Sequence, residues 1–323
     1  MKAVQVEGQE LRWVDAAEPT LGVGEVRIAN KATALNRADL AQRAGHYAPP
    51  PGASSILGLE CAGVVEEVGE GVGRVREGDR VCALLAGGGY AEKVVVPAGQ
   101  VLPIPEGLSF HEAAALPEVF ATAYLNLFME ANLEPGEFVL LHAGASGVGT
   151  AAIQLCAAFD NPCFVTAGSA EKVSRCVELG AAGGCDRHTV RFVEEVPGWT
   201  AQHGMDVILD PVGGGYFESN VESLAVDGRL VLIGLLDGTT SSIALGAMMS
   251  RRLRVIGSTL RGRSIAAKSR VMDDLGERVW PLIEAGQIQP VVDTIMSVTE
   301  AKEAHQLLSQ DGTFGKVVLD IPQ

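Results

Sequence analysis

The sequence predicts an α/β protein: a doubly wound parallel sheet of the Rossmann type, joined to an irregular β-rich domain. Three observations carry this. An apolar run at residues 138–141 breaks into a glycine-rich turn at 142–149 and then into a helical stretch with no charge before Asp160. Further short apolar runs alternate with helical stretches, as in a parallel sheet covered on both faces. The first third of the chain differs in texture, with short strands, many glycines and the break Pro49-Pro50-Pro51.

The elements follow in order. The chain opens on a strand-like segment at 1–6, and candidate strands lie at 26–30, 63–68, 80–84 and 92–96. A helical pattern occupies 110–129. The strand at 138–141 enters the glycine turn and the helix at 150–159. Strands at 163–167, 207–210, 229–234 and 255–258 continue the parallel sheet, and the tail from 270 offers helix and a last strand at 316–321.

The glycine turn points to a dinucleotide. In such a turn the first glycine makes the bend, the second admits the pyrophosphate and the third lets helix pack on strand. Gly144 and Gly149 hold the outer positions and Ser146 replaces the middle one. A serine hydroxyl is small and can donate to a phosphate already favoured by the helix N-terminus. Gly213 and Gly234, each after a strand, are candidate cofactor neighbours at the carboxyl edge of the sheet.

The cofactor's form is read at the end of the next strand. An NAD-binding chain places Asp or Glu there for the ribose 2′-hydroxyl; this one has Gly168-Ser169-Ala170-Glu171-Lys172. A hydroxyl at Ser169 and an ammonium at Lys172 suit a 2′-phosphate, so NADPH is expected. The competing reading makes Ser169 a helix cap and Lys172 a solvated first-turn residue.

Length and composition suit two cores: 323 residues, 47% apolar. Residues 139–159 lack a formal charge, but the turn glycines and polar residues inside them argue against a transmembrane segment. The chain begins directly in a strand pattern, so a cytoplasmic protein is expected. Six cysteines without a C-x-x-C pair lie mostly in apolar runs, as small core residues do. A net charge of −15 opposes binding to nucleic acid or anionic membrane. The one dense basic cluster, Arg251-Arg252-Leu253-Arg254, is read as a helix end and strand entrance.

The order of segments resembles the medium-chain dehydrogenase/reductase superfamily over essentially the whole chain. Gly58-Leu59-Glu60-Cys61-Ala62-Gly63, followed by Gly69, has the spacing of its G-H-E-x-x-G-x-x-x-x-x-G signature. Leu59 stands where zinc enzymes carry a ligand histidine, and Asn36 where they carry a ligand cysteine. Neither is a zinc ligand type, and the four-cysteine lobe is missing, so no metal is expected. This pattern, with the segments 35–40, 49–54 and 142–155, resembles the zinc-free quinone oxidoreductase group that includes zeta-crystallin.

The resemblance implies a GroES-like catalytic domain from residues 1–120 and 260–323, and a Rossmann NADPH-binding domain from 121–259, with the acceptor in a cleft between them. It implies that Asn36 and Tyr47 face the nicotinamide and substrate, that Thr122 lies beside the nicotinamide ring, and that Leu260 lines its end. Ser146, Gly147 and Val148 approach the pyrophosphate, and Ser169 and Lys172 bind the 2′-phosphate. Arg187 stands where relatives often have tyrosine, either on that phosphate or in water. A homodimer through the edge of the Rossmann sheet is also implied, and the apolar strand at 255–260 is the feature that fits it.

The chemistry needs donors for the negative charge that builds on a carbonyl oxygen, such as the Tyr47 hydroxyl, the Asn36 amide or water. Three functions follow. The first is an NADPH-dependent quinone reductase. The second is a reductase of activated alkenes such as enones or enoyl thioesters. The third is a non-catalytic crystallin-like or RNA-binding role, which the acidic balance opposes.

Overall fold

Alternation of apolar and polar residues builds the first sheet. Strand β3, Glu25–Ala34, turns Val26, Ile28, Asn30 and Ala32 inward and the residues between them outward. The computed structural model describes residues 1–8 and 10–322. These divide into two units, residues 1–121 with 260–323, and residues 122–259.

In chain order the first part holds β1 (Lys2–Glu7), β2 (Glu10–Asp15), β3, α1 (Arg37–Arg43), β4 (Glu60–Val68), β5 (Arg80–Leu84), β6 (Lys93–Pro97) and β7 (Val101–Pro103). Two short helices follow, α2 (Phe110–Ala114) and α3 (Pro117–Tyr124), then a π-helical turn at Leu125–Glu130. The second unit continues with β8 (Val139–Leu141), α4 (Gly147–Ala158), β9 (Cys163–Ala167), α5 (Ala170–Glu178), β10 (Gly183–Asp186), α6 (Phe192–Trp199), β11 (Met205–Asp210), α7 (Phe217–Ser223), β12 (Leu224–Leu232), α8 (Leu245–Arg251) and β13 (Arg254–Gly257). The tail supplies α9 (Ile265–Arg278), α10 (Trp280–Glu284), β14 (Val292–Ser297), α11 (Ala301–Ser309) and β15 (Lys316–Asp320).

The tail is part of the first unit's sheet. Its strand order is β14-β15-β3-β4-β5-β7, with β6 also paired to β3. Strand β15 runs antiparallel to β3, with Val318 opposite Ala34, so the tail is hydrogen-bonded into the sheet of the first part. Leu35, Tyr90, Val317, Leu319 and Ile321 meet in one buried cluster.

The second unit is a parallel sheet in the order β10-β9-β8-β11-β12-β13. Strands β8 and β11 are buried along their whole length, as central strands with helices on both faces must be. Consequently the carboxyl ends of β8, β9, β11 and β12 lie along one edge, where an open α/β sheet binds its ligand.

The helical pattern at 110–129 is three pieces in the structure. Ser109 caps α2 by accepting from the Glu112 amide at 3.2 Å, and Pro117 opens a new helix. The strands β2, β7, β10 and β14 carry no strong apolar run; β10, Gly-Gly-Cys-Asp, has no apolar alternation to signal it. The six cysteines are all buried and free. Arg251 and Arg254 lie at the end of α8 and the start of β13, and Arg251 donates to the carbonyls of Val221 and Leu224. Among the described residues no helix is long and apolar enough to cross a membrane.

Candidate functional site

The second unit contributes a tight glycine-rich turn at the end of β8. Ala143 adopts a left-handed φ of 54°, and the Gly144 amide donates to the Thr166 carbonyl at 2.9 Å. A Cβ on Gly144 would stand 2.7 Å from Val165 Cβ, and one on Gly149 would stand 2.5 Å from the carbonyl oxygens of Ala143 and Gly144. Both outer glycines are therefore imposed by close packing, of turn on strand and of helix on turn. Ser146 caps α4, its hydroxyl accepting from the Gly149 amide at 3.1 Å. Ser146 is exposed and Gly147 and Val148 are half-buried, so the first turn of α4 presents them. That turn carries no acidic side chain, which leaves the positive end of the helix dipole open to an anion.

Beneath the turn lies a buried polar chain. His142 pairs through Nδ1 with the Thr166 hydroxyl at 3.0 Å and through Nε2 with Asn220 Oδ1 at 2.7 Å. The Asn220 amide donates to Asp210 at 2.9 Å, and Asp210 accepts from the Val212 and Gly213 amides. Burial pushes His142 down to about 4 and Asp210 up to about 6. The network ties the ends of β8, β9 and β11 together. At its rim the loops after β11 and β12 pack backbone on backbone: a Cβ on Gly234 would stand 2.7 Å from the Pro211 carbonyl, and Gly213 has a φ of 86°. Gly213 and Gly234 are thus brought together.

The end of β9 gathers a basic corner. Ser169 caps α5 by accepting from the Lys172 amide at 3.2 Å, so the cap of the competing reading is present. The same cap fixes Lys172 in the first turn. The Arg187 guanidinium lies 3.5–3.6 Å from the position a Gly168 Cβ would take, and its amide donates to the Ala167 carbonyl at 2.9 Å. Arg187 therefore joins Ser169 and Lys172 at one corner. Thr122 lies in α3, its carbonyl accepting from the Asn126 amide at 2.7 Å.

In the first unit, Asn36 precedes α1 and sits in a network that the sequence does not announce. Its Nδ2 donates to Glu60 Oε1 at 2.9 Å and to the Ala34 carbonyl at 3.3 Å, and its Oδ1 accepts from Lys316 Nζ at 2.7 Å. Both amide hydrogens are engaged, so this arrangement fixes the carboxamide. Lys316 also bonds Glu60 at 2.8 Å and the Leu35 carbonyl at 2.5 Å. The second Glu60 oxygen accepts from the Glu118 amide at 2.9 Å. Asp39 accepts from the amides of Asn36 and Gly58, and burial pushes its carboxyl up to about 6.

Tyr47, half-buried, lies under the Arg261 guanidinium, 5.3 Å from the ring centroid. It makes no hydrogen bond to Asn36. Burial, then the Glu118 carboxyl, push the Tyr47 phenol up. Burial, then the negative Glu60, push Glu118 up to about 8. Leu260, immediately before Arg261, is buried. Leu59 is buried too, and among the described residues no group of three or more His, Cys, Asp or Glu side chains is placed to hold a metal ion.

Comparison with known proteins agrees with this architecture. Residues 22–106 match the family described as alcohol dehydrogenase GroES-like domain, and residues 179–319 the family described as zinc-binding dehydrogenase. The human synaptic vesicle membrane protein VAT-1 homolog is 34% identical over 318 residues, covering 94% of this chain and 81% of that protein. The chain belongs to the medium-chain dehydrogenase/reductase superfamily. Two solved structures of the superfamily superpose well. An NAD-dependent alcohol dehydrogenase matches at 33% identity with a TM-score of 0.87, covering all of both chains. The Escherichia coli quinone oxidoreductase complexed with NADPH matches at 28% identity with a TM-score of 0.84, covering 99% of this chain and 98% of that one.

Glu118 gives the first unit a pH signature. A carboxyl that holds its proton to about pH 8 when folded, but releases it near 4.5 when unfolded, favours the folded state at low pH. Stability then falls as pH rises between those values. The buried His142 and His305, both pushed down to about 4 by burial, give the opposite slope below pH 6.5, so the window from 6.5 to 8 isolates Glu118. Melting temperature is expected to fall across that window, and Glu118→Gln to flatten the fall. Circular-dichroism melts with parallel pH slopes for the two proteins would refute this origin.

Proposed function

We propose that the protein is an NADPH-dependent, zinc-independent quinone oxidoreductase. The observation that carries this reading is the replacement of metal-ligand chemistry in the first unit. Position 59 is a buried leucine, and position 36 is an asparagine clamped by Glu60 and Lys316. A carbonyl oxygen gaining charge must then be met by neutral or cationic donors, and the Tyr47 hydroxyl beside Arg261 supplies them. Asn36, with its amide hydrogens engaged, acts by holding the shape of this wall, or donates once it exchanges a partner for the acceptor.

When bound, NADPH supplies the hydride. Its pyrophosphate is held by the Ser146, Gly147 and Val148 turn, and its 2′-phosphate by Ser169, Lys172 and Arg187, with Gly144, Gly213 and Gly234 giving backbone room. Thr122 and Leu260 are assigned to the nicotinamide end. The Escherichia coli quinone oxidoreductase, a structural neighbour, was solved with NADPH. Another neighbour is described as NAD-dependent, so the basic corner carries the choice of cofactor. NADPH is expected to bind at least tenfold more tightly than NADH. Lys172→Ala should erode that preference about ten- to a hundredfold, the worth of one charge-assisted hydrogen bond. Equal dissociation constants for both cofactors in the unaltered protein would overturn the assignment.

The segments at 35–40, 49–54 and 142–155 also support a place near the tumour-suppressor-inducible quinone oxidoreductase. Activated alkenes present the same developing oxyanion and form the second acceptor class. A cytoplasmic enzyme without nucleic-acid or membrane partners is the accompanying proposal.

The reading is tested by NADPH oxidation with para-quinones, ortho-quinones and enones, with and without chelator. Turnover with quinones, unaffected by chelator, is expected. Tyr47→Phe should lower kcat about tenfold while leaving NADPH affinity intact, because the donor's contact strengthens mainly in the transition state. Unchanged kcat and KM would reduce Tyr47 to packing.

A homodimer completes the proposal. Strand β13 is one of the two edges of the sheet, paired among the described residues with β12 alone, and the neighbouring α8 exposes Leu245 and Met249 at 70% and 80%. An open edge with apolar flanks favours pairing with a second copy. Light scattering should give about twice the chain mass of 33.7 kDa at micromolar concentration, and a monomer would refute it.

A further inference from the structure

Two cations lie buried in the first unit with no counterion among the described residues. Arg261 is 3% exposed and Lys268 is 5% exposed. Arg261 Nε donates to the Ala86 carbonyl at 2.8 Å, but Nη1 and Nη2 are buried without any hydrogen-bond partner. Lys268 Nζ has one long bond, 3.4 Å, to the Arg261 carbonyl. Neither side chain has a carboxylate within ion-pair distance among the described residues.

This is an expensive arrangement for a core. A buried, unpaired charged donor costs several times what an ordinary hydrogen bond returns, and buried ions are normally paired. Other buried cations of this chain obey that rule: Lys316 meets Glu60 and Arg229 meets Glu137. Arg261 differs in a second respect, since its guanidinium faces the Tyr47 ring and not a backbone cage. The one acid whose charge is felt by both cations and by Tyr47 is Glu118, and its burial beside Glu60 favours the neutral carboxyl.

A guanidinium with both terminal nitrogens open is a bidentate partner for a planar carboxylate. We propose that Arg261, backed by Lys268 and covered by the Tyr47 ring, is a carboxylate subsite, so that the preferred acceptors carry an acidic group beside the reducible ring or enone. Tyr47 then has two contacts with such an acceptor. Its ring moves off the guanidinium to admit the carboxylate, and its hydroxyl remains near the carbonyl to be reduced. This inference rests on the quinone-reductase reading for the identity of the acceptor, but not for the existence of the subsite.

Two experiments separate these. In the first, thermal shift of the full chain compares benzoate with benzamide, which differ in charge and little in shape. Benzoate should raise the melting temperature and benzamide should not, and Arg261→Gln or Lys268→Met should abolish or halve the benzoate shift. Equal shifts from the two compounds in the unaltered protein would overturn the subsite, even if neither variant folds. In the second, NADPH turnover is measured with a carboxylated para-benzoquinone and its methyl ester. Preference for the acid, in kcat/KM, should fall about tenfold or more in Arg261→Gln. If no quinone is turned over but benzoate binds selectively, the acceptor is wrong and the subsite stands. If Arg261→Gln weakens NADPH binding and leaves the acid preference intact, the guanidinium belongs to a cofactor phosphate and the proposal fails.

Discussion

The buried contact between Glu60 and Lys316 is the constraint on which the first unit's site depends. Taking both charges from water is favourable only when every donor and acceptor finds a partner. Here the ammonium meets three oxygens, those of Leu35, Asn36 and Glu60, and the carboxylate accepts from Asn36, Lys316 and the Glu118 amide. Removing either partner would leave a buried charge unmatched. The contact also joins β4 to the last strand, so the tail must return across the sheet before the residues around Asn36 acquire their geometry.

A second network does the same for the other unit, without charge pairing. His142, kept neutral by burial, links the Thr166 hydroxyl to Asn220 and through it to Asp210. Three strand ends are fixed relative to one another before any ligand arrives. Preorganised backbone amides at such an edge need no rearrangement to meet a phosphate, which is the physical advantage of building a binding turn on a sheet and not on a free loop. The glycines at 144 and 149 follow from that packing, because any side chain there would collide with Val165 or with the turn's own carbonyls.

Much of this was legible along the chain. A run of apolar residues ending in glycine is a local signal, and the strands at 138–141, 207–210, 229–234 and 255–258 lie within or beside β8, β11, β12 and β13. The strand β10 was illegible because Gly183 and Gly184 give no apolar period, and its place in the sheet comes from pairing with β9. Ser146 and Ser169 were legible as small hydroxyl residues at helix starts; the structure shows that both cap their helices, each accepting from a first-turn amide.

The sequence by itself determined the two textures of the chain, the glycine-rich turn, the Gly168-Ser169 pair in place of an acid directly at the end of β9, and the absence of zinc-ligand residue types at positions 36 and 59. Each is a property of neighbouring residues, set by local sterics and donor chemistry. Only the tertiary structure decided that Asn36 is clamped by a lysine 280 positions away, that Glu118 lies where burial and Glu60 hold its proton, that Arg187 reaches Gly168, and that Arg261 lies over Tyr47 with no counterion among the described residues. These depend on long-range strand pairing and on the low dielectric it creates, and no spacing along the chain encodes either.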